Sequence, residues 1–243
     1  MSNNEPVRNP TVYGGRIKII QCQQGTPQWF AARSGIPTAS EFHRLVSPLW
    51  KIRTGDGPAT FLSEKLAEKW TGQPLPQLQR FGALEQGTIL EEESLPFFEL
   101  KTGLELQRVG FCTTDDGRAG CSPDGLIDPD SGLECKCPQS PGHVSWLIDG
   151  VLPPEHAAQV HGCMFVTGRP TWHFLSYRRG FPHLLLTIER DEKIQKTLKT
   201  ALDDFNEKFD AAWKRLCEIA GGEPKRAAII EQPLKEPDDL WPR

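Results

Sequence analysis

The sequence has no apolar run long enough to span a bilayer: its longest uncharged apolar stretches, such as Leu184 to Ile188, have the length of a strand. Met1–Glu5 carries neither a basic nor an apolar leader pattern, so the expectation is a cytosolic protein without membrane contact. A paired cysteine framework is also missing. Cys22, Cys112, Cys121, Cys135, Cys137, Cys163 and Cys217 form an odd set without framework spacing, and most are expected to remain thiols. No segment repeats with a period of about 20 to 50 residues, which excludes solenoids and propellers. Positive net charge is lacking too. With 28 Lys and Arg against 32 Asp and Glu, the chain carries −4, which excludes a nucleic-acid coat held by its overall field. Any nucleic-acid site must be a local basic patch.

What is present is the composition of a soluble globular chain: 243 residues, 37% hydrophobic and 25% charged, long enough to bury a core without cross-links. Residues 1–15 are polar and punctuated by Pro and Gly, and 221–243 carry four prolines around Ala227–Ile230. Both are expected to be arms, the N-terminal one flexible, flanking a single domain over 16–220. The C-terminal arm has two readings, a disordered tail or a segment that docks through Ile229, Ile230 and Trp241.

Within the domain, Thr38 to Leu45 opens on N-cap residues, and Ala59 to Trp70 has helical spacing ended by Gly72. Glu85 to Leu100 is a third predicted helix, with Pro96 as a possible bend. From Glu105 to Cys137 short extended runs alternate with turn clusters, predicting an antiparallel meander. Helical spacing returns at His143–Leu147 and Glu155–Val166, strands fit Thr171–Tyr177 and His183–Glu189, and a long amphipathic helix follows with Ile194, Leu198, Leu202, Phe205, Phe209, Trp213 and Leu216 as its stripe. The fold class is therefore α/β, a mixed sheet with helices on its faces.

Charge is uneven along this domain. Arg44, Lys51 and Arg53 stand without acidic neighbours in the segment 43–53, whereas Glu105, Asp115, Asp116, Asp124, Asp128, Asp130 and Glu134 outnumber the three basic residues of 105–140. Such a carboxylate crowd is costly unless it is solvated or binds a cation. The most informative string is Ser122-Pro123-Asp124-Gly125-Leu126, followed by Leu133-Glu134-Cys135-Lys136-Cys137. On a strand, residues i and i+2 share a face, so Glu134 and Lys136 point one way and Cys135 and Cys137 the other. Asp124, at the end of the preceding strand, is brought beside Glu134 by the turn Asp128–Gly132 if the two strands pair. Hard oxygen ligands without His suit Mg2+ or Mn2+ better than zinc. Such an ion could activate water and polarise a phosphate, with Lys136 orienting the nucleophile.

Pro123-Asp124 followed by Glu134-x-Lys136 resembles the signature of the PD-(D/E)xK nuclease superfamily, and more narrowly the chain is similar to phage lambda-type alkaline exonucleases. The likeness runs in order through Gln24–Trp29, Arg33–Gly35, Thr38–Glu41, Cys121–Leu126, Gly132–Pro138, Ala158–Val160 and Ile188–Glu192. It implies a restriction-endonuclease-like core and a Mg2+-dependent 5′-to-3′ exodeoxyribonuclease, with Mn2+ able to substitute. The resemblance implies that Asp124, Glu134 and the Cys135 carbonyl bind metal and that Lys136 is catalytic. Glu91 matches the helix-borne acid of the metal site, although Glu91, Glu92 and Glu93 lie about 100° apart on a helix and only one can face the sheet. Gln159 matches a glutamine lining the active site, and His156 stands where the family has a tyrosine. Arg33, Ser40 and Ser122 match the pocket for the 5′ phosphate, with a surface ion pair and a helix cap as the alternatives for the first two. The segment 48–53, with Trp50, Lys51 and Arg53, lies where the family inserts a loop into the duplex end; Trp50 could equally anchor that loop to its own core.

The implied partners are linear double-stranded DNA with 5′-phosphate ends, a ring-shaped homotrimer and a single-strand annealing protein, in the bacterial host cytosol as a phage or prophage product. Competing readings are another nuclease on the same site, a zinc-stabilised binding module using Cys112, Cys121, Cys135 and Cys137, and a non-cleaving DNA-binding relative.

Overall fold

Two short sheets carry the strands of the computed structural model, which describes residues 17–75 and 83–224, the side chains of 83–89 and 91 excepted. β1 (Lys18–Ile20), β2 (Phe111–Thr113) and β3 (Gly120–Cys121) form an antiparallel sheet in that order. β4 (Gly125–Ile127), β5 (Ser131–Lys136), β6 (Thr171–Ser176) and β7 (Leu184–Glu189) form the second, in which only the β5–β6 pair is parallel. The expected arm 1–15 and residues 225–243 of the other arm lie outside the described residues.

The helices are α1 (Pro27–Arg33), α2 (Asp56–Thr71), α3 (Ala83–Thr102), α4 (Ser140–Asp149), α5 (Pro154–Thr167) and α6 (Glu192–Ala220). This mixed sheet flanked by helices is the expected class. Three details differ from the sequence reading. Thr38–Leu45 forms a 3-10 turn over Ala39–Arg44 instead of an α-helix, and β1 and α1 have no counterpart among the predicted elements. The meander is broken at Ser122–Asp124, so that Asp124 precedes β4 instead of ending a strand. Pro123 has no N–H for a ladder, and the Gln24 side chain takes its carbonyl at 2.9 Å while also donating to Val109 O at 3.2 Å.

β5 and β6 are central and covered on both sides. Leu133, Cys135 and Leu175 pack with Leu95 and Phe98 of α3 on one face. On the other, Trp172 and Phe174 join Val160 and Met164 of α5 in the larger core, to which α6 adds Leu198, Leu202, Phe205 and Phe209. Burial of each such side chain contributes about 2 kcal/mol. Gly132 and Gly35 are among the glycines required by close approach. A Cβ at Gly132 would meet the Trp172 ring at 2.4 Å, and Gly35, at φ +75°, would meet Lys69 Cβ at 2.7 Å. The β4–β5 turn is closed from outside the hairpin by buried Arg169, which donates to Ile127 O at 3.0 Å, to Ser131 O at 2.6 Å and to Asp128 O.

Candidate active site

The β4–β5 pairing places Gly125 opposite Leu133, and Asp124 N donates to Leu133 O at 3.1 Å, so Asp124 lies beside Glu134 at the strand ends. Alternation along β5 separates its side chains as expected. Cys135 turns to α3, where its thiol bonds Ser94 Oγ at 2.8 Å, while Glu134 and Lys136 face α5. Glu134 is only 2% exposed. Its Oε1 accepts from Lys136 Nζ at 2.5 Å and from Gln159 Nε2 of α5 at 2.5 Å. Asp124 Oδ2 accepts from the Cys135 N–H at 2.5 Å. Since the N–H and C=O of one strand residue point to the same edge, the Cys135 carbonyl also looks toward Asp124.

Burial raises the Asp124 carboxyl above its ordinary pKa, although Lys136, the Cys135 N–H and Arg108 act in the opposite direction. The charged form of Asp124 is thus disfavoured by burial, and the donors at the site are hard oxygens from Asp124, Glu134 and the Cys135 carbonyl. A Mg2+ or Mn2+ ion fits both facts. Among the described residues no group of three or more His, Cys, Asp and Glu side chains is arranged to hold an ion. Among those residues Cys112, Cys121, Cys135 and Cys137 therefore form no zinc centre. Glu91 lies on α3, and its side chain is outside the described residues. Its neighbours diverge: Glu93 pairs with Arg179, whereas Glu92 lines a cavity together with Asp124.

A second cluster begins two residues before Asp124. Ser122 Oγ accepts from Arg33 Nη1 at 2.8 Å and from Trp29 Nε1 at 2.9 Å. The Arg33 guanidinium stacks 4.1 Å over the Trp29 ring and reaches Thr38 Oγ1 at 3.4 Å, and that hydroxyl lies 3.2 Å from Ser40 Oγ. Arg33, Ser40 and Ser122 therefore converge, from residues up to 89 apart. Burial lowers the Arg33 pKa and Glu41 raises it. α1 delivers Arg33 because Thr26 caps it and Pro27 starts it. The sequence assigned Trp29 no role and Thr38 only that of a helix cap, though both fall in blocks that carry the resemblance.

A cavity of about 430 Å3 is bordered by Ser40, His43, Trp50, Arg53, His156 and Gln159. Trp50 packs edge-on to His161 at 5.3 Å and against the core. Arg53 Nε donates to His43 O at 2.9 Å and Val46 O at 3.2 Å, closing the loop 46–52. Lys51 is exposed, and Leu49, 77% exposed, projects at the tip. His156 is held between Trp146 and Phe174, and its pKa is lowered to about 4 by burial and then by Lys136, so its ring is neutral near pH 7.

The profile of the YqaJ-like viral recombinase domain matches residues 28–170, more than half of the chain. No curated protein matches. Among solved structures, LHK-Exo, an alkaline exonuclease from Laribacter hongkongensis, is similar at TM-score 0.71 and 26% identity, over 81% of this chain and 98% of that one. LHK-Exo in complex with dAMP gives 0.72 and 27% over the same shares. A phage-related exonuclease from Haemophilus somnus 129PT, at TM-score 0.57 and 13% identity over 74% of this chain and 96% of that one, shares the fold. Family profile and fold agree: the chain belongs to the YqaJ-like viral recombinase family and is an exodeoxyribonuclease of the alkaline-exonuclease type.

Proposed function

We propose that this exonuclease is Mg2+-dependent and degrades one strand of linear double-stranded DNA from 5′-phosphate ends, leaving a 3′ overhang for a single-strand annealing protein. One observation carries the reading: Ser122 of the Arg33–Ser122 cluster and Asp124 of the Asp124–Glu134–Lys136 centre are separated by the single residue Pro123. Two residues of chain span at most about 7 Å, a separation that one nucleotide bridges. A terminal phosphate held at Arg33 then puts the next phosphodiester at the carboxylates, which favours removal of single nucleotides from an end. LHK-Exo was solved with dAMP, a mononucleotide of the kind such cleavage releases.

When bound, Mg2+ or Mn2+ supplies a Lewis acid for the phosphate oxygen and a water of lowered pKa. The chain's own residues do the positioning. Asp124, Glu134 and the Cys135 carbonyl would hold the ion, with the Glu134 carboxylate fixed by the Gln159 amide. Lys136 Nζ, 2.5 Å from Glu134 Oε1, orients the attacking water and adds positive charge where the transition state gains negative charge. Arg33 offers a fork to the terminal phosphate, and the hydroxyls of Ser122 and Ser40 serve its remaining oxygens. A ring-shaped trimer would make resection processive and would confine the needed basic surface to its channel, in keeping with a net charge of −4. Among the described residues no helix is long and apolar enough to cross a membrane, and a phage-type recombinase would act in the host cytosol.

The test is digestion of linear duplex labelled at either end, with and without Mg2+, beside a closed circular control. The expected result is Mg2+-dependent release of the 5′ label first, with circles intact. Release of the 3′ label first, or cutting of circles, would overturn the reading.

A further inference from the structure

Asp124 has a second flank, away from Lys136 and Gln159. There a cavity of about 380 Å3 is lined by Gln23, Gln24, Glu92, Arg108 and Asp124. The backbone holds Arg108 firmly. Gln107 exchanges both main-chain hydrogen bonds with Leu126 of β4, at 2.8 and 3.0 Å, and Gln24 ties Val109 O to Pro123 O. Arg108 is thereby fixed alongside the segment that carries Asp124.

Its side chain is exposed, and Nη1 donates to the Asp124 main-chain carbonyl at 3.1 Å. Among the described residues that is its one hydrogen bond, and it joins no ion pair there. A guanidinium has five N–H donors in a planar fork, so most of them face the cavity or solvent. An arginine kept for packing would bury its stem and pair its head. Arg108 is exposed and its head makes a single hydrogen bond among the described residues, yet it stands against a residue of the reaction centre. Its wall also bears Glu92 and Asp124, two negative charges that oppose a free anion. A ligand tethered on both sides and already drawn in by a cation at Asp124 overcomes that repulsion, and the DNA backbone is such a ligand.

We infer that this cavity is a subsite for the DNA strand and that Arg108 contacts a backbone phosphate in it, next to the reaction centre. The inference rests on the nuclease reading above and adds a contact that the end-phosphate pocket does not supply. A phosphate contact releases counterions, so its loss makes log K against log salt shallower by about 0.9 for duplex or about 0.7 for a single strand. A residue that merely orders Asp124 leaves that slope alone.

The test measures anisotropy of fluorescein-labelled linear duplex with a 5′ phosphate, from low to moderate KCl, in the full chain carrying Lys136→Ala so that the DNA stays intact. Adding Arg108→Gln is expected to weaken binding about tenfold at low salt and to lower the slope by nearly one, equally for two unrelated end sequences. Arg108→Lys, which keeps the charge, is expected to keep the slope. An unchanged slope in the Gln variant overturns the inference, whatever happens to turnover. Should the Gln variant fail to fold, the Lys variant decides: weaker binding at unchanged slope supports the contact, and parental affinity overturns it. If the chain with intact Arg108 bound no duplex at all, the nuclease reading itself would fall, and this inference with it.

Discussion

The carboxylate centre and the Arg33–Ser122 cluster are separated by one residue, Pro123, yet they are built in opposite ways. The centre comes from one hairpin, Asp124 to Lys136, with Gln159 as its outside member. The cluster gathers Trp29 and Arg33 from α1, Thr38 and Ser40 from the turn after it, and Ser122 from before β4. Burial acts on both, with opposite sign. It raises the Asp124 carboxyl and lowers the Arg33 guanidinium, in each case disfavouring the charged form. Each cluster is therefore relieved by a ligand of the other sign, a cation at Asp124 and an anion at Arg33. This pairing of deficits suits the proposed action on a phosphate end with a divalent ion.

The comparison breaks most sharply at Lys136. Lys136→Ala is expected to lower kcat by about three orders of magnitude, because it removes a charge and a donor needed in the transition state, while end binding stays close to parental. Single-turnover cleavage beside anisotropy reads both. Parallel loss of binding would mean that the two clusters are not separable.

Arg33→Ala should act on the other side of the divide. Losing charge-assisted hydrogen bonds of about 2 kcal/mol corresponds to roughly thirtyfold, and it should appear as lost preference for 5′-phosphate over 5′-hydroxyl ends, with kcat on hydroxyl ends unchanged. A variant that still discriminates would show that the phosphate is held elsewhere.

His156 sharpens the electrostatic contrast with the smallest effect. Its folded-state pKa of about 4 lies below the ordinary histidine value, so between roughly pH 6.5 and 4 the unfolded chain binds a proton that the folded chain refuses. Stability should fall as pH drops through that window, by at most about 1.4 kcal/mol per unit, and should not depend on His156 above it. Replacing the ring by His156→Phe should flatten that part of the profile, as read by urea unfolding at pH 7, 6 and 5. An identical slope in parent and variant would place the imidazole in water.

Much of the centre was legible because its information is local. The alternation of Glu134, Cys135 and Lys136 and the turn residues Asp128–Gly132 specify faces and a hairpin within a few residues. The stripe of α6 was legible for the same reason, and Leu198, Leu202, Phe205 and Phe209 are buried as its period predicts. β1 and α1 escaped because neither has a buried residue, so no apolar period marks them. Arg108 escaped because its place depends on a bridge between Gln107 and Leu126 across the chain.

What the sequence by itself determined is therefore periodic and short in range: the strand faces, the long helix, the turn that brings two carboxylates together, and the identity of the amine beside them. Only the tertiary structure decided how the strands divide between two sheets, that Arg169 closes the β4–β5 turn from across the chain, and that Arg33 meets Ser122. The reason is physical. Periodicity records which side of an element is buried, whereas a hydrogen bond between residues 89 positions apart exists only once packing has fixed both backbones.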